Sequence, residues 1–362
     1  MRILHFIYGL KVGGAETFIA SILGRLNHDE YEFGFVLQDG DITNRFIADY
    51  IKKHNCEVFV VPRFPAGMVG QYRALLKILR EHRYDYVHIH MNAVVNPVPL
   101  MVARRGCGDT KFILHSHNTD SARLLGRLLH SVNSRLLVNR SIIKLACSDV
   151  AGKWMFRNMA FQLVDNAVDV GRFTYNGANG LAIRNEFMID CNAAVIGSVG
   201  RFVSQKNHRF MVEWFADYCK THTNAVLLLV GDGPLLPDIK RLAEEKNVAD
   251  RVVFTGIRTD TPAVLSAIDC FIMPSHFEGL AFTAIEAQAS GLHVVASTEV
   301  TSMININGYC RFLSLKAPFA DWSEAVDQAV DESKRQNRVQ SPVAGSRFDI
   351  DVMISQIKDV YS

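Results

Sequence analysis

Four charged side chains in two short stretches offer the chemistry of a ligand site. Arg201 and Lys206 lie in Gly200-Arg201-Phe202-Val203-Ser204-Gln205-Lys206-Asn207. Glu278 and Glu286, with seven residues between them, lie in Phe277-Glu278-Gly279-Leu280-Ala281-Phe282-Thr283-Ala284-Ile285-Glu286. A planar guanidinium can bridge two oxygens of a diphosphate, while a lysine supplies a mobile point charge. The same two residues can equally be solvated loop cations. The glutamates bracket a loop-to-helix junction between two apolar runs, Asp269 to Ser275 and His293 to Ser297, that read as buried strands. Thr283-x-x-Glu286 fits a capping box, in which Glu286 would accept from backbone donors. A helix start is also where an anion is favoured, so the two readings coexist. Together the residues point to a negatively charged, polyhydroxylated ligand.

Further candidates follow other predicted strands. Gly13-Gly14 sits between the first strand and the first helix, where glycines let backbone approach a phosphate or simply make a tight turn. The full G-x-G-x-x-G spacing of a dinucleotide site is absent. Gly231-Asp232-Gly233-Pro234 and Gly256-Ile257-Arg258 end two later strands, where main chain can line a nucleotide site or form ordinary turns. His115-Ser116-His117-Asn118 ends a strand on the side where such sheets bind ligands, and an imidazole there can hydrogen-bond to a sugar or move a proton. His88 and His90 close an earlier strand and read as structural. Asp39-Gly40-Asp41 has the form of a metal-diphosphate site and reads here as an acidic turn; no residue is assigned to a metal.

Ser121 to Lys144 differs in kind. It holds Arg123, Arg127, Arg135, Arg140 and Lys144 without an acidic residue, interleaved with leucine pairs at 124/125, 128/129 and 136/137. The reading is an amphipathic basic helix on an anionic membrane surface, or a core helix with a solvated basic face. It offers nucleic acid little else, so no nucleic-acid partner is expected.

The elements that must position these residues alternate. Strand-like Arg2–Tyr8, Phe33–Leu37, Glu57–Val61, Tyr86–His90 and Lys111–His115 are separated by helical spacing over 15–26, 43–53, 71–83 and 97–105. A second series runs from Val195–Gly200 through Ala225–Val230, Val252–Thr255 and Cys270–Met273, with helices over 208–220, 235–247 and 262–268. The pattern predicts an α/β protein of two Rossmann-like domains facing a central cleft. The first spans 1–175, joined by a C-terminal helix within 347–362, and the second spans 176–346. Low periodicity over Tyr175–Asn192 reads as a linker.

A length of 362 residues fits about two domains. A 49% hydrophobic and 21% charged composition is that of an ordinary core-forming chain, and a net charge of +2 selects no partner. Seven single cysteines without a CxxC pair argue against zinc ribbons and thioredoxin chemistry and fit a reducing compartment. The apolar start, broken by His5 and stopped by Gly9 and Lys11, is short for a signal sequence, and no run reaches the ~20 residues of a membrane span. The expectation is a cytoplasmic protein, peripheral on the inner membrane face.

The ordered set of motifs resembles the retaining family-4 glycosyltransferases of the GT-B fold. It runs through Gly13-Gly14-Ala15-Glu16, His115 to Asn118, Val164-Asp165-Asn166-Ala167-Val168-Asp169, Gly200 to Asn207, Val230 to Pro234, Phe254-Thr255-Gly256, and Pro274-Ser275 into Glu-x7-Glu. Gln205-Lys206-Asn207 and Glu286-Ala287-Gln288-Ala289 resemble bacterial exopolysaccharide and capsule enzymes in style. The resemblance implies that Arg201 and Lys206 hold the donor diphosphate, Glu286 the ribose hydroxyls and Glu278 a donor-sugar hydroxyl. Backbone at Ala281, Phe282 and Thr283 would face sugar and diphosphate, Gly14 the phosphates, His117 the sugar near its reacting carbon, and main chain near Arg258 the base. The implied activity moves a hexosyl or N-acetylhexosaminyl group, with retention and without a metal or other cofactor. It passes from a nucleotide sugar, UDP-linked by expectation, to a lipid-linked saccharide of a surface polysaccharide: exopolysaccharide, capsule or O-antigen. A nucleotide-sugar epimerase of similar architecture and a non-catalytic sugar-nucleotide binder are the alternatives. Ala281, where many members carry proline or glycine, and His293, in place of a common proline, depart from the pattern.

Overall fold

The computed structural model describes residues 1–11, 13–117, 124–335, 338 and 340–362. The chain divides into two units, Met1–Ala167 with Ile350–Ser362, and Val168–Asp349. The first unit opens with β1 (Arg2–Ile7), α1 (Gly14–Arg25), β2 (Glu32–Leu37), α2 (Arg45–His54), β3 (Val58–Val60), α3 (Met68–Glu81) and β4 (Tyr86–Met91). It continues through α4 (Val98–Arg105), β5 (Lys111–Ser116), α5 (Leu124–Leu137), β6 (Ile143–Ala146), α6 (Asp149–Phe156) and β7 (Gln162–Leu163). The seven strands form one sheet in the order β3-β2-β1-β4-β5-β6-β7, and every pairing is parallel. Strand order reverses between β1 and β4, the place where such sheets open a crevice beyond the strand C-termini.

Because side chains alternate across a strand, each strand feeds two cores. Ile3, Phe33, Phe35, Tyr86 and Ile113 face α1, whose Phe18, Ile19 and Ile22 are buried. Leu4, Phe6, Val87, Ile89 and Leu114 face the opposite way, toward Leu75, Leu79, Val98 and Val102 of α3 and α4. Burial on both faces explains why these strands read as nearly continuous apolar runs.

The second unit contains α7 (Val170–Phe173), α8 (Gly177–Glu186), β8 (Ala194–Val199), α9 (His208–Tyr218), β9 (Ala225–Val230), α10 (Leu236–Glu245) and β10 (Val252–Gly256). There follow α11 (Thr261–Ala267), β11 (Cys270–Met273), α12 (Phe282–Ala289), β12 (Val294–Ser297), β13 (Cys310–Leu313) and α13 (Phe319–Arg335). Its parallel sheet runs β10-β9-β8-β11-β12-β13, reversing between β8 and β11. The last helix, α14 (Ile350–Tyr361), returns to the first unit and buries Met353, Ile357 and Tyr361 in the core shared with α1 and β1.

Three segments depart from the sequence reading. The stretch 175–192 is not a bare linker. It holds α8, capped by Asn176, whose side chain accepts from Asn179 N–H. Its apolar periodicity is weak because Gly180 makes the close contact: a Cβ there would fall 2.5 Å from Ser266 O of α11. The sequence reading assigns no element to 314–335, which holds α13, whose Trp322, Ala325, Val326, Ala329 and Val330 are buried at helical spacing. The basic segment Ser121–Lys144 is not one helix. Among its described residues, α5 ends at Leu137, and Lys144 lies in β6 with its ammonium donating to Ile142 O at 2.8 Å.

Candidate active site

In the second unit the sheet's reversal brings the loop after β8 beside the loop after β11. Glycines make this packing possible. Gly231, at φ 134°, lies so close to the β8 loop that a Cβ would meet Gly200 O at 2.1 Å, and a Cβ on Gly200 would press on the Lys206 stem. Asn207 adopts the left-handed conformation and its side chain donates to Pro274 O at 3.1 Å. Gln205 donates to Phe277 O at 3.0 Å and to Glu278 Oε2 at 3.3 Å, while His276 N–H donates to Gln205 O. Gln205 and Asn207 thus fasten one loop to the other, a role that their sequence position alone did not disclose.

The fastening puts Lys206 Nζ 2.7 Å from Glu278 Oε1, a charge contact that lacks hydrogen-bond alignment, with the carboxylate side chain 9% exposed. The Arg201 side chain, in the same loop, is exposed and has no ion-pair or hydrogen-bond partner among the described residues. The two residues expected to act on a diphosphate therefore differ: one is held against a carboxylate and the other is available.

At the start of α12 the capping-box reading is overturned. The N-cap is Ala281, without a side-chain cap, so Thr283 falls inside the first turn and Glu286 further along the helix. Thr283 Oγ1 is buried without a hydrogen-bond partner among the described residues. Glu286 is pushed up to about 7 by burial, opposed by the charge of Arg172. The carboxyl is thus half-protonated near neutral pH and makes no structural cap. Ala281 and Phe282 supply the backbone that begins the helix.

The Arg258 guanidinium is committed elsewhere: Glu186 grips it at 2.6 and 3.0 Å and Asp260 at 2.8 and 2.7 Å. These carboxylates raise its pKa further. The expected contact there is main chain rather than this guanidinium, and the preceding Gly256 has φ 72°.

In the first unit, Gly14 begins α1 directly after Gly13, and a Cβ on Gly14 would lie 3.5 Å from Asn166 Nδ2. His117 follows β5, with its N–H donating to Met91 O. Its Nε2 is hydrogen-bonded to His90 Nδ1 at 2.9 Å, while its own Nδ1 is buried without a partner among the described residues. Burial lowers the His117 pKa to about 3, so the ring is neutral across physiological pH. Asn118 and Ser121 to Arg123 lie outside the described residues. Asp39 and Asp41 are bound by Lys11 at 2.6 and 3.0 Å, and Arg63 also pairs with Asp39. That cation pairing fits the reading as an acidic turn.

On α5, the buried face consists of Gly126, His130 and Ser134, whereas Leu124, Leu125, Leu128 and Leu136 are exposed. His130 anchors the helix by accepting Val94 N–H at Nδ1 and donating from Nε2 to Trp154 O. No described helix is long and apolar enough to cross a membrane.

Residues 12–172 match the family model "Glycosyltransferase Family 4" and residues 181–341 match "Glycosyl transferases group 1", which between them span most of the chain. The chain is 28% identical to the putative glycosyltransferase EpsF of Bacillus subtilis, over 100% of this chain and 96% of that protein. It is 26% identical to the UDP-Gal:alpha-D-GlcNAc-diphosphoundecaprenol alpha-1,3-galactosyltransferase of Escherichia coli, over 78% of this chain and 74% of that one. Among solved structures it resembles Anabaena Alr3699/HepE in complex with UDP, with TM-score 0.76 at 19% identity over 99% of both chains. That likeness carries the fold, two parallel-sheet Rossmann-like units of GT-B type. The chain belongs to the glycosyltransferases that these paired models define.

Proposed function

We propose that the chain transfers a hexosyl or N-acetylhexosaminyl group, with retained anomeric configuration and without a catalytic metal, from a UDP-sugar to a lipid-linked saccharide. The product belongs to a surface polysaccharide such as an exopolysaccharide, capsule or O-antigen. The observation that carries the reading is the Lys206–Glu278 contact at the point where the second sheet reverses, beside an uncapped α12 bearing a protonatable Glu286. The E. coli relative's name contains both a UDP-Gal donor and a diphosphoundecaprenol-linked acceptor, and the Anabaena neighbour holds UDP; both support the choice of donor and acceptor class.

Each residue has a defined task in this reading. As the bond to the sugar breaks, negative charge grows on the departing diphosphate. Arg201 and Lys206 stabilise it, Lys206 with N–H groups to spare beyond its contact with Glu278. Glu278 accepts from a sugar hydroxyl and Glu286 from the ribose hydroxyls. Main chain at Ala281, Phe282 and Thr283 and near Arg258 faces sugar, diphosphate and base, with Gly14 serving the phosphates and His117 the sugar. Neutral His117 can donate or accept, but it is a poor base. The reading therefore gives it contact with the sugar and assigns no nucleophile.

The exposed leucines of α5 and the arginines interleaved with them support peripheral attachment to an anionic membrane, at the cytoplasmic face where nucleotide sugars are used. The deciding experiment incubates the protein with UDP-glucose, UDP-galactose or an N-acetylated analogue, with and without diphosphoundecaprenol saccharides. Acceptor-dependent UDP release and a product with the donor's anomeric configuration are expected. Conversion of the donor to an epimer without acceptor would replace the reading.

A further inference from the structure

Five histidines from three neighbouring strands share one face of the first sheet. Parallel register pairs His5 of β1 with His88 of β4, and His90 of β4 with His115 of β5, while His117 continues two residues beyond His115. The period-two alternation of strands then sends all five rings toward α1 and α14. There Phe18 meets the His115 ring edge-on at 4.6 Å, and Tyr361 O–H reaches His88 Nδ1 at 2.7 Å. The hydrogen bonds between rings form two separate series. One links His5 Nδ1 to His90 Nε2 at 2.9 Å and His90 Nδ1 to His117 Nε2 at 2.9 Å. The other runs from Tyr361 through His88 Nε2 to His115 Nδ1 at 3.3 Å.

The first series has a property that follows from its connectivity. Every bond joins Nδ1 of one ring to Nε2 of the next, and a neutral imidazole carries a single N–H. If His5 is protonated on Nδ1 it donates to His90 Nε2. His90 must then carry its proton on Nδ1 and donate to His117, which carries its own on Nδ1. If His117 is instead protonated on Nε2, all three rings are. A mixed series would set two lone pairs or two N–H groups against each other at a buried 2.9 Å contact. Burial lowers the pKa of every ring in the series, which removes the charged alternative at physiological pH. The terminal nitrogens, His5 Nε2 and His117 Nδ1, are both buried without partners among the described residues.

We infer that His5, His90 and His117 form one tautomer relay, in which His90 and His5 are positioning residues that make the free His117 Nδ1 a hydrogen-bond donor or acceptor to a sugar hydroxyl, all three rings switching together. The second half of this statement rests on the proposed contact between His117 and the donor sugar; the first half does not. Switching from the Nδ1–H to the Nε2–H state passes the two shared protons across the two ring–ring bonds, releases the proton of His117 Nδ1 and takes one up at His5 Nε2, both exchanged with solvent water when the buried site opens, so the net charge is unchanged. A hydroxyl can both donate and accept, so either state of the relay can be satisfied by it.

Long-range nitrogen–proton spectra of the protein carrying nitrogen-15 histidine read the tautomer of each ring directly. Without any ligand, His5, His90 and His117 should show the same Nδ1-H fraction; rings of unlike tautomer would overturn the relay. Replacing the middle ring, His90→Phe, should uncouple the two ends so that their fractions differ, whereas Tyr361→Phe should move only His88 and His115. Should His90→Phe fail to fold, the wild-type spectra still decide. On adding UDP-glucose, the three fractions should shift together. Three matching rings that ignore UDP-glucose would keep the relay and remove His117 from the sugar site. In turnover, His90→Phe should cost about tenfold, one hydrogen bond's worth, and should add nothing to His117→Phe. Additive losses would mean that His90 acts only on the fold.

Discussion

Lys206 and Glu286 are the residues whose loss should be most informative. In the proposed reaction Lys206→Ala removes a preorganised charge from the departing diphosphate and is expected to cost at least ~2 kcal/mol of transition-state stabilisation, read as kcat/KM in a variant of unaltered fold. Unchanged turnover would remove the diphosphate assignment. For Glu286, the carboxyl titrates at about 7 when folded against an ordinary 4.5. The folded state therefore holds a proton that the unfolded chain has lost. The stability this contributes is complete below pH 4.5 and disappears as pH rises through 7. Glu286→Gln should thus gain on the wild type between pH 5 and 8, by on the order of 3 kcal/mol in urea unfolding. Parallel pH–stability curves would contradict the buried carboxyl. Ribose hydroxyls donate best to the ionised form, so UDP should bind the wild type more tightly at pH 8 than at pH 6, with proton release visible by calorimetry in buffers of different ionisation enthalpy. Arg201, Lys206, Glu278 and Glu286 stood out in the sequence by their charge in two stretches that follow predicted strands, and the structure sets Lys206 of one stretch against Glu278 of the other. The capping box was misread because an i, i+3 pattern cannot say which residue starts a helix, and Ala281 does so here. The series that ends in His117 went unseen for another reason: its partner His90 lies 27 positions away and His5, the partner of His90, 112 positions away, and only strand register brings them together.

Among the elements, α5 is the one whose sequence and surroundings disagree. Leucines at helical spacing ordinarily mark a core face, yet Leu124 and Leu128 are 84% and 61% exposed while Gly126, His130 and Ser134 are buried. The outward face, with arginines between the leucines, is the kind that lies in a lipid headgroup layer. Replacing Leu125 and Leu128 by serine should leave stability within about 0.5 kcal/mol, as for other exposed positions, while reducing sedimentation with anionic vesicles. Raising the salt should release the wild type. Equal binding to neutral and anionic vesicles would exclude the electrostatic part. Most strands were legible because a parallel sheet buried on both faces writes itself as short apolar runs. β6 and β13 were not, because their residues alternate or are only partly covered, as in Ile143-Lys144-Leu145-Ala146. α13 had the periodic signal at 322, 325, 326, 329 and 330, diluted by the acidic and polar residues of its outer face.

On the scale of the molecule, the chain leaves the first unit at Ala167 and re-enters it at Ile350, so the second unit is an insertion in sequence with a core of its own. Two consequences can be separated by truncation. α14 buries Ile350, Met353, Ile354, Ile357, Val360 and Tyr361, and each fully buried apolar side chain is worth about 1.5–3 kcal/mol. The sum rivals the 5–15 kcal/mol that holds a typical domain together. A chain ending at Asp349 should therefore lose amide protection throughout β1–β7 while α9–α13 remain protected, because no core residue of the second unit comes from α14. Conversely, the fragment 168–349 contains Arg201, Lys206, Glu278 and Glu286 with the loops that fasten them, and should fold alone and bind UDP. It lacks Gly14 and His117 but keeps Glu278, so it should still prefer UDP-glucose to UDP, by less than the full chain does. Isothermal titration of the fragment against both ligands settles the matter. A folded fragment that ignores UDP would mean that the four charged residues are not sufficient for the nucleotide. A preference for UDP-glucose undiminished from that of the full chain would mean that the sugar is read by Glu278 and its neighbours without His117.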